Sequence, residues 1–217
     1  MTLSECRNRA LLRRIVWTTA DPARTIERVK RATLFLLVGF PGSGKTTTST
    51  IIHDLTGAVH IWADYERRAM FGEPTHSAVE SRKLYDHLNK STELLLADGQ
   101  SVIFDTNFNF RKDRDMLRTI AAKYNAETKL VWIKLNKSTA RKRALSHEHA
   151  ASNSYEDTMT AKDFERITSH LEPPAKDENP IVLDGTKITP VYVAQALQLT
   201  KQKSPKVNEI TKPVQHR

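Results

Sequence analysis

The chain has 217 residues, 39% of them hydrophobic, enough for one globular domain with a proper core and ragged ends. Its single cysteine, Cys6, cannot form an internal disulfide, no apolar stretch is long enough to cross a bilayer, and Arg13 and Arg14 interrupt the run Leu11 to Trp17. A disulfide-stapled secreted fold, a membrane span and a signal peptide are therefore all disfavoured, and a soluble protein of the reducing cytoplasm is expected. The 34 Lys and Arg against 25 Asp and Glu leave a net charge of +9, which favours phosphorylated or polyanionic partners.

That charge is concentrated at the ends. Arg7, Arg9, Arg13, Arg14, Arg24, Arg28 and Lys30 define a basic extension over 1–30, read as an added helix packed on the domain or a mobile basic arm. Lys201, Lys203, Lys206, Lys212 and Arg217 mark a polar tail over 201–217, expected to be disordered. Aromatic residues are not interleaved with these cations, so a nucleic-acid footprint and a merely solvated charge excess both stay open.

Between the two ends, over 31–200, strand and helix patterns alternate as an α/β domain demands. The buried run Leu34 to Val38 leads into Gly39-Phe40-Pro41-Gly42-Ser43-Gly44-Lys45-Thr46, a complete G-x-x-x-x-G-K-[ST] phosphate-binding loop. Its glycines free successive amide N–H groups to turn inward around a β-phosphate, Lys45 reaches the β- and γ-phosphates, and the Thr46 hydroxyl is suited to magnesium. Thr47 to Leu55 opens a helix whose N-terminus points at the same anion. A chance glycine-rich turn would lack this strand before and helix after.

Gly57 closes that helix, and Val59 to Trp62 is a second strand running into Asp64-Tyr65-Glu66-Arg67-Arg68. Val79 to Ala97 reads as a helix stopped by Asp98-Gly99, and Ser101 to Asp105 as a third, buried strand ending on an acid. A helix over Arg111 to Tyr124, a fourth strand over Lys129 to Leu135 and a basic helix from Ser138 follow. Thr160, with Asp163 as capping-box acid, starts a helix over Ala161 to Leu171 that Pro173-Pro174 ends. Ile181 to Leu183 is the fifth strand, and Thr189-Pro190 opens the last helix. Right-handed crossovers then give a parallel sheet covered on both faces, with ligands at its carboxyl edge, where Asp64, Asp105 and the glycine-rich loop converge.

Asp105 stands where a second nucleotide-binding acid holds magnesium directly or through water, or it is simply a surface aspartate ending a strand. A GTPase would want glycine at position 108, which is Phe108, and an N-K-x-D motif where Asn136-Lys137-Ser138-Thr139 ends in threonine, so adenine is the better base. Asp64 is the candidate catalytic base, able to take the proton of an attacking hydroxyl, with Arg67 on the same helical side to hold an anionic group of the acceptor. The alternative for that pair is an ordinary helix-start interaction. Arg141, Lys142 and Arg143 can fold over a triphosphate as an arginine finger, or form a basic solvated face. His147-Glu148-His149 lacks the His-Glu-x-x-His zinc spacing, so no protein-bound transition metal is assigned. Trp62, Tyr65 and Phe71 can stack on a base, although core packing suits Trp62 and Phe71.

These pieces resemble the polynucleotide-kinase and zeta-toxin branch of the P-loop phosphotransferases, often described only as predicted ATP-binding kinases. The likeness runs from Leu34 to about Gly185. It rests on Val38 to Thr46, the Asp-x-x-Arg of Asp64 to Arg67 leading to Phe71-Gly72, Gly99 to Asn107, and Phe164 with Leu171-Glu172-Pro173-Pro174. Val102 to Asn109 is especially similar to 5′-hydroxyl polynucleotide kinases. The resemblance implies an α/β P-loop NTPase fold with a five-stranded parallel sheet of order 2-3-1-4-5 and a helical lid. It also implies ATP and magnesium bound through residues 39–47, chiefly Lys45 and Thr46, with Asp64 as base, Arg67 and Asn107 on the acceptor, and Asp105 supporting the metal and acceptor region.

The match departs from the family at the lid. Those polynucleotide kinases carry two arginines four residues apart, whereas Arg143 is followed at that interval by His147, and Arg141 by Leu145. No Asp-x-Asp-x-Thr phosphatase motif is present, so 3′-phosphatase activity is not expected. Three readings result: an ATP-dependent kinase of 5′-hydroxyl RNA or DNA ends, a small-molecule or toxin-type kinase, and a nucleotide-dependent binding module in which Asp64 has no catalytic task.

Overall fold

The computed structural model describes residues 31–108, 110–146 and 159–199; the basic extension over 1–30, Asn109, His147-Glu148-His149 and the tail lie outside the described residues. Five strands form one sheet: β1 (Thr33–Val38), β2 (Val59–Trp62), β3 (Val102–Asp105), β4 (Glu127–Lys134) and β5 (Ile181–Asp184). All pairings are parallel and the order is β2-β3-β1-β4-β5, the P-loop NTPase arrangement. Among the described residues seven α-helices connect and cover it: α1 (Lys45–Thr56), α2 (Ala63–Phe71), α3 (Ala78–Ala97), α4 (Arg111–Lys123), α5 (Lys137–Ala144), α6 (Ala161–Ser169) and α7 (Pro190–Ala196). Among the described residues no helix is long and apolar enough to cross a membrane.

Because side chains alternate along a strand, β1 feeds two cores at once. Leu34, Leu36 and Val38 join Phe104 and the α3 and α4 residues Leu84, Leu88, Leu117 and Ala121 on one face. Phe35 and Leu37 join Ile103, Val131, Ile133 and Leu183, with Ile52 of α1 and Val193 of α7, on the other. A much smaller cluster of Ala140, Ala144 and Phe164, touched by Phe40 and Leu135, seats α5 and α6.

The element ends follow local chemistry. Gly57 takes φ 70° and returns its N–H to His53 at 2.8 Å, closing α1. Ser77 caps α3 by accepting from the Glu80 N–H, and Thr160 and Thr189 cap α6 and α7 in the same way. β4 starts at Glu127 rather than Lys129, because Glu127 and Thr128 pair with Thr33 and Leu34; pairing with β1 overrides the polar composition there. α6 ends at Ser169, with His170 and Leu171 reaching back only to Ile167 and Thr168, a tightened final turn. The segment after Trp62 is helical from Ala63 onward, which puts Asp64 in its first turn.

Candidate active site

The strand order fixes the arrangement of the site. β3 lies between β2 and β1, so Asp105 at the end of β3 separates the loop after β1 from the helix that starts after β2. The register pairs Trp62 with Asp105 and Leu36 with Phe104, so all three strands end at the same edge. With neighbouring strands about 4.8 Å apart, the exits of β2 and β1 are separated by roughly 10 Å.

The phosphate loop is a tight turn anchored at several points. Gly42 and Gly44 adopt φ of 76° and 104°, conformations that side chains disfavour, and the Ser43 N–H bonds the Phe40 carbonyl at 3.0 Å. A β-carbon on Gly42 would come within 2.4 Å of the Ala140 carbonyl oxygen, so α5 is packed directly on the loop. Gly185, after β5, is equally close: a β-carbon there would meet the Ser43 carbonyl oxygen at 2.8 Å. The Lys45 ammonium donates to the Gly39 and Phe40 carbonyls at 3.1 and 3.2 Å, which keeps it over the loop. Ser43 Oγ is buried without a hydrogen-bond partner, a polar atom the loop encloses.

Asp105 is buried and receives His60 Nε2 at 3.1 Å. It shares its sheet face with Ile103, whose cluster contains Ile52 of α1, so the carboxylate is on the side from which α1 presents Thr46. Asp64 stands half-buried in the first turn of α2. Arg67 is buried one turn later, its Nη1 donating to Glu80 Oε1 at 2.6 Å and its Nε lacking a hydrogen-bond partner. Glu80 in turn accepts from the Thr75 N–H and hydroxyl, both at 2.7 Å. Burial lifts its carboxyl pKa, but the bonds from Arg67 and Thr75 outweigh that and hold it at about 2.

Tyr85 ties these parts together. Its hydroxyl lies 2.9 Å from Thr106 Oγ1, next to Asp105. Burial pushes its pKa up; the bond to Thr106 and the charge of Arg67 oppose this, and the charges of Asp64 and Asp113 add to it. Asp64, Arg67 and Asp113 are thus all in electrostatic reach of one phenol.

On the lid side, Arg143 Nη1 donates to the Gly185 carbonyl at 2.9 Å, whereas the half-exposed Arg141 leans toward Glu165 of α6, Nε to Oε1 at 3.6 Å. An open cavity of about 590 Å³ adjoins Gly185, lined by Asn136, Thr139, Asp184, Thr186 and Tyr192 among others. The Asp184 carboxylate there is already engaged by the Thr186 N–H and hydroxyl at 2.9 and 2.6 Å. Trp62 is half-buried and stacks between His60 and Tyr65, at centroid distances of 6.3 and 6.5 Å, while Phe71 packs on the core.

Of the residues expected from sequence, the fold brings the loop, Asp64, Arg67 and Asp105 to one edge, with Asn107 beside them and Arg143 against Gly185. Glu80, Tyr85, Asp113 and Gly185 were not among them. Glu80 has a sequence signal: it extends the apolar stripe Leu84, Leu88 and Leu96 by one turn, and an acid in such a stripe calls for a buried partner.

Comparison with known proteins agrees with this architecture. The AAA_33 family model, described as an AAA domain, matches residues 34–174. The fold is similar to that of a protein from Chloroflexus aurantiacus J-10-fl, at 20% identity over 79% of this chain and 100% of the other, TM-score 0.61. It is also similar to the Mycobacterium tuberculosis APS kinase CysC, solved in complex with AMPPNP and APS, at 17% identity over 78% and 97% of the two chains, TM-score 0.58. A chain of the Pnkp1/Rnl/Hen1 RNA repair complex matches at 22% identity over 71% of this chain and 48% of that one, TM-score 0.55. No curated protein matches the sequence. With 34–174 covered by the model and the β2-β3-β1-β4-β5 sheet in place, the chain belongs to the AAA_33 family and carries the fold of the P-loop kinases.

Proposed function

We propose that the protein is an ATP-dependent phosphotransferase that moves the γ-phosphate to an acceptor hydroxyl, and that the acceptor is the 5′-hydroxyl end of a polynucleotide. The observation that carries this reading is the adjacency of the phosphate loop, Asp105 and Asp64 on three neighbouring strand exits. Residues 39–47 hold the triphosphate, Lys45 neutralises charge on its β- and γ-groups, and the cavity beside Gly185 takes adenine.

The carboxylate of Asp64 accepts the proton of the acceptor hydroxyl as the new oxygen–phosphorus bond forms. The bond from phosphorus to the β,γ-bridging oxygen breaks, and ADP leaves with that oxygen. The Thr46 hydroxyl and the Asp105 carboxylate are hard oxygen donors on one side of the sheet, and they fit magnesium. Bound there, magnesium would withdraw charge from the phosphoryl oxygens. Arg143, at Gly185, is the candidate finger. The basic balance of the chain and the buried Arg67 beside Asp64 favour an anionic acceptor.

A small-molecule acceptor is the second reading, supported by the fold similarity to the APS kinase. Labelled γ-phosphate offered with 5′-hydroxyl RNA, 5′-hydroxyl DNA, nucleosides and sugars separates the two: label appearing only in small molecules overturns the polynucleotide assignment. Asp64→Asn should keep ATP binding while transfer falls by orders of magnitude, and undiminished turnover would overturn the assigned base.

A further inference from the structure

Between α3 and α4, on the sheet face opposite α1, lies a cavity of about 140 Å³ lined by Tyr85, Asn89, Asn107, Phe108, Asp113 and Met116. It is far below the roughly 300 Å³ at which sites for whole small molecules begin, so it admits one ring system and not a ring with its sugar. Its walls are aromatic and aliphatic: the rings of Phe104 and Phe108 meet at 5.3 Å, with Leu117 beneath. Two amides and one carboxylate supply the polar groups. That combination suits a flat, apolar-faced, polar-edged group, the chemistry by which proteins hold a splayed-out base. An open-chain polyol would leave those walls uncompensated.

The cavity also adjoins the chemistry. Asn107 is two residues past Asp105, and the Tyr85 hydroxyl bonds Thr106 between them at 2.9 Å. Arg67, one turn after Asp64 on α2, bonds Glu80 at the start of α3, the helix that supplies Tyr85 to the cavity wall. The cavity therefore lies between the segment after Asp105 and the helix that α2 packs on.

We infer that this cavity receives the 5′-terminal nucleobase of the acceptor, with Tyr85 and Phe108 as aromatic walls, Asn107 and Asn89 at the polar edge, and Asp113 accepting a hydrogen bond from an exocyclic amino group. The inference rests on the polynucleotide reading of the site. A carboxylate acceptor favours cytosine, whose N4 amino group donates, over uracil, whose O4 would face it as a second acceptor.

Two measurements test this separately from that reading. The chain has four methionines, so methyl-labelled protein gives few signals, and Met116 can be assigned with Met116→Leu. Titrated cytidine should shift the Met116 methyl saturably, and uridine should do so at least fivefold more weakly; no shift with saturating cytidine overturns the cavity assignment whatever the acceptor proves to be.

In the transfer assay, oligonucleotides differing only at the 5′ terminus should rank cytidine above uridine above an abasic end. We expect about tenfold in kcat/KM from first to last, as for loss of one base stack. Met116 is 43% exposed, so Met116→Trp is accommodated at the rim and should flatten that ranking while leaving the KM for ATP unchanged. Equal rates on cytidine and abasic ends with the native protein overturn the inference. Transfer to no oligonucleotide, with the cytidine shift intact, sinks the polynucleotide reading and leaves the nucleobase cavity standing.

Discussion

Arg67 Nη1 lies 2.6 Å from Glu80 Oε1 with both side chains buried, and the same glutamate grips the Thr75 N–H and hydroxyl at 2.7 Å. The pair joins α2 to the start of α3 and leaves Arg67 Nε as a buried donor without a hydrogen-bond partner. Arg67→Ala should raise the acceptor KM about tenfold, as expected for losing a charge-assisted bond, with the ATP KM unchanged. Arg67→Lys, which keeps the charge and loses the fork, should fall between. Glu80→Ala should lower the melting temperature as well, because it strands the guanidinium. Steady-state kinetics with each substrate varied in turn distinguishes these outcomes from general damage.

Gly42 cannot tolerate a β-carbon. Its φ is 76°, and the added atom would meet the Ala140 carbonyl oxygen at 2.4 Å and the Ala144 nitrogen at 2.8 Å, both backbone atoms of α5. Gly42→Ala should cost about 2 kcal/mol of stability, since neither atom can turn aside. It should also weaken nucleotide affinity by displacing the loop. Chemical denaturation and isothermal titration with a non-hydrolysable ATP analogue give the two readouts.

The two lid arginines should separate in their effects. Arg143 is fixed to the Gly185 carbonyl beside the phosphate loop, while Arg141 is drawn to Glu165 at the surface. Arg143→Ala should lower kcat by about a hundredfold or more, the loss typical of one preorganised donor at a developing charge. Arg141→Ala should change it by no more than about threefold, as for a surface pair that contributes little. A reversal would make Arg141 the finger.

Acid should unfold the domain through glutamates held ionised by their partners. Burial raises the Glu178 pKa, but bonds from Arg114, the Ala175 N–H and Arg118 outweigh burial and hold it at about 2, against an ordinary 4.5. A carboxyl depressed in the folded state contributes stability that is complete above about pH 4.5 and is lost as the pH falls toward 2. Glu80 and Glu93, also held at about 2, add to the same window. The urea midpoint should stay level from pH 8 to 5 and then drop. Glu178→Gln should cost about 3 kcal/mol at pH 7, by leaving the fully buried Arg114 guanidinium short of its countercharge, and should shallow the acid slope.

The sheet and its loop were legible because their signals are local. Leu34 to Val38 is an unbroken apolar run, and the loop that follows is a fixed spacing of glycines with Lys45 and Thr46. Caps at Thr160 and Thr189 likewise announce themselves within four residues. What stayed hidden depends on contacts far apart in sequence. Arg114 and Glu178 are 64 residues apart and become a buried pair only when the turn Lys176–Glu178 lies against α4. Glu127 reads as loop until β1 pairs with it. Asp64 and Arg67 were readable as a motif, but the partner that orients Arg67 is thirteen positions on, in another helix.

The unequal size of the three apolar clusters sets where the molecule breathes. The apolar cluster under α5 and α6 has two alanines and one phenylalanine at its centre, with Phe40, Leu135 and Met159 at the margin, whereas the sheet is clamped by large cores on both faces. The amides of these two helices should exchange with deuterated solvent through low-energy partial openings while those of β1 and β3 wait for global unfolding. The side of the molecule next to the phosphate loop is thus its least deeply anchored part, and the strands that carry Asp64 and Asp105 at their ends are its most deeply anchored.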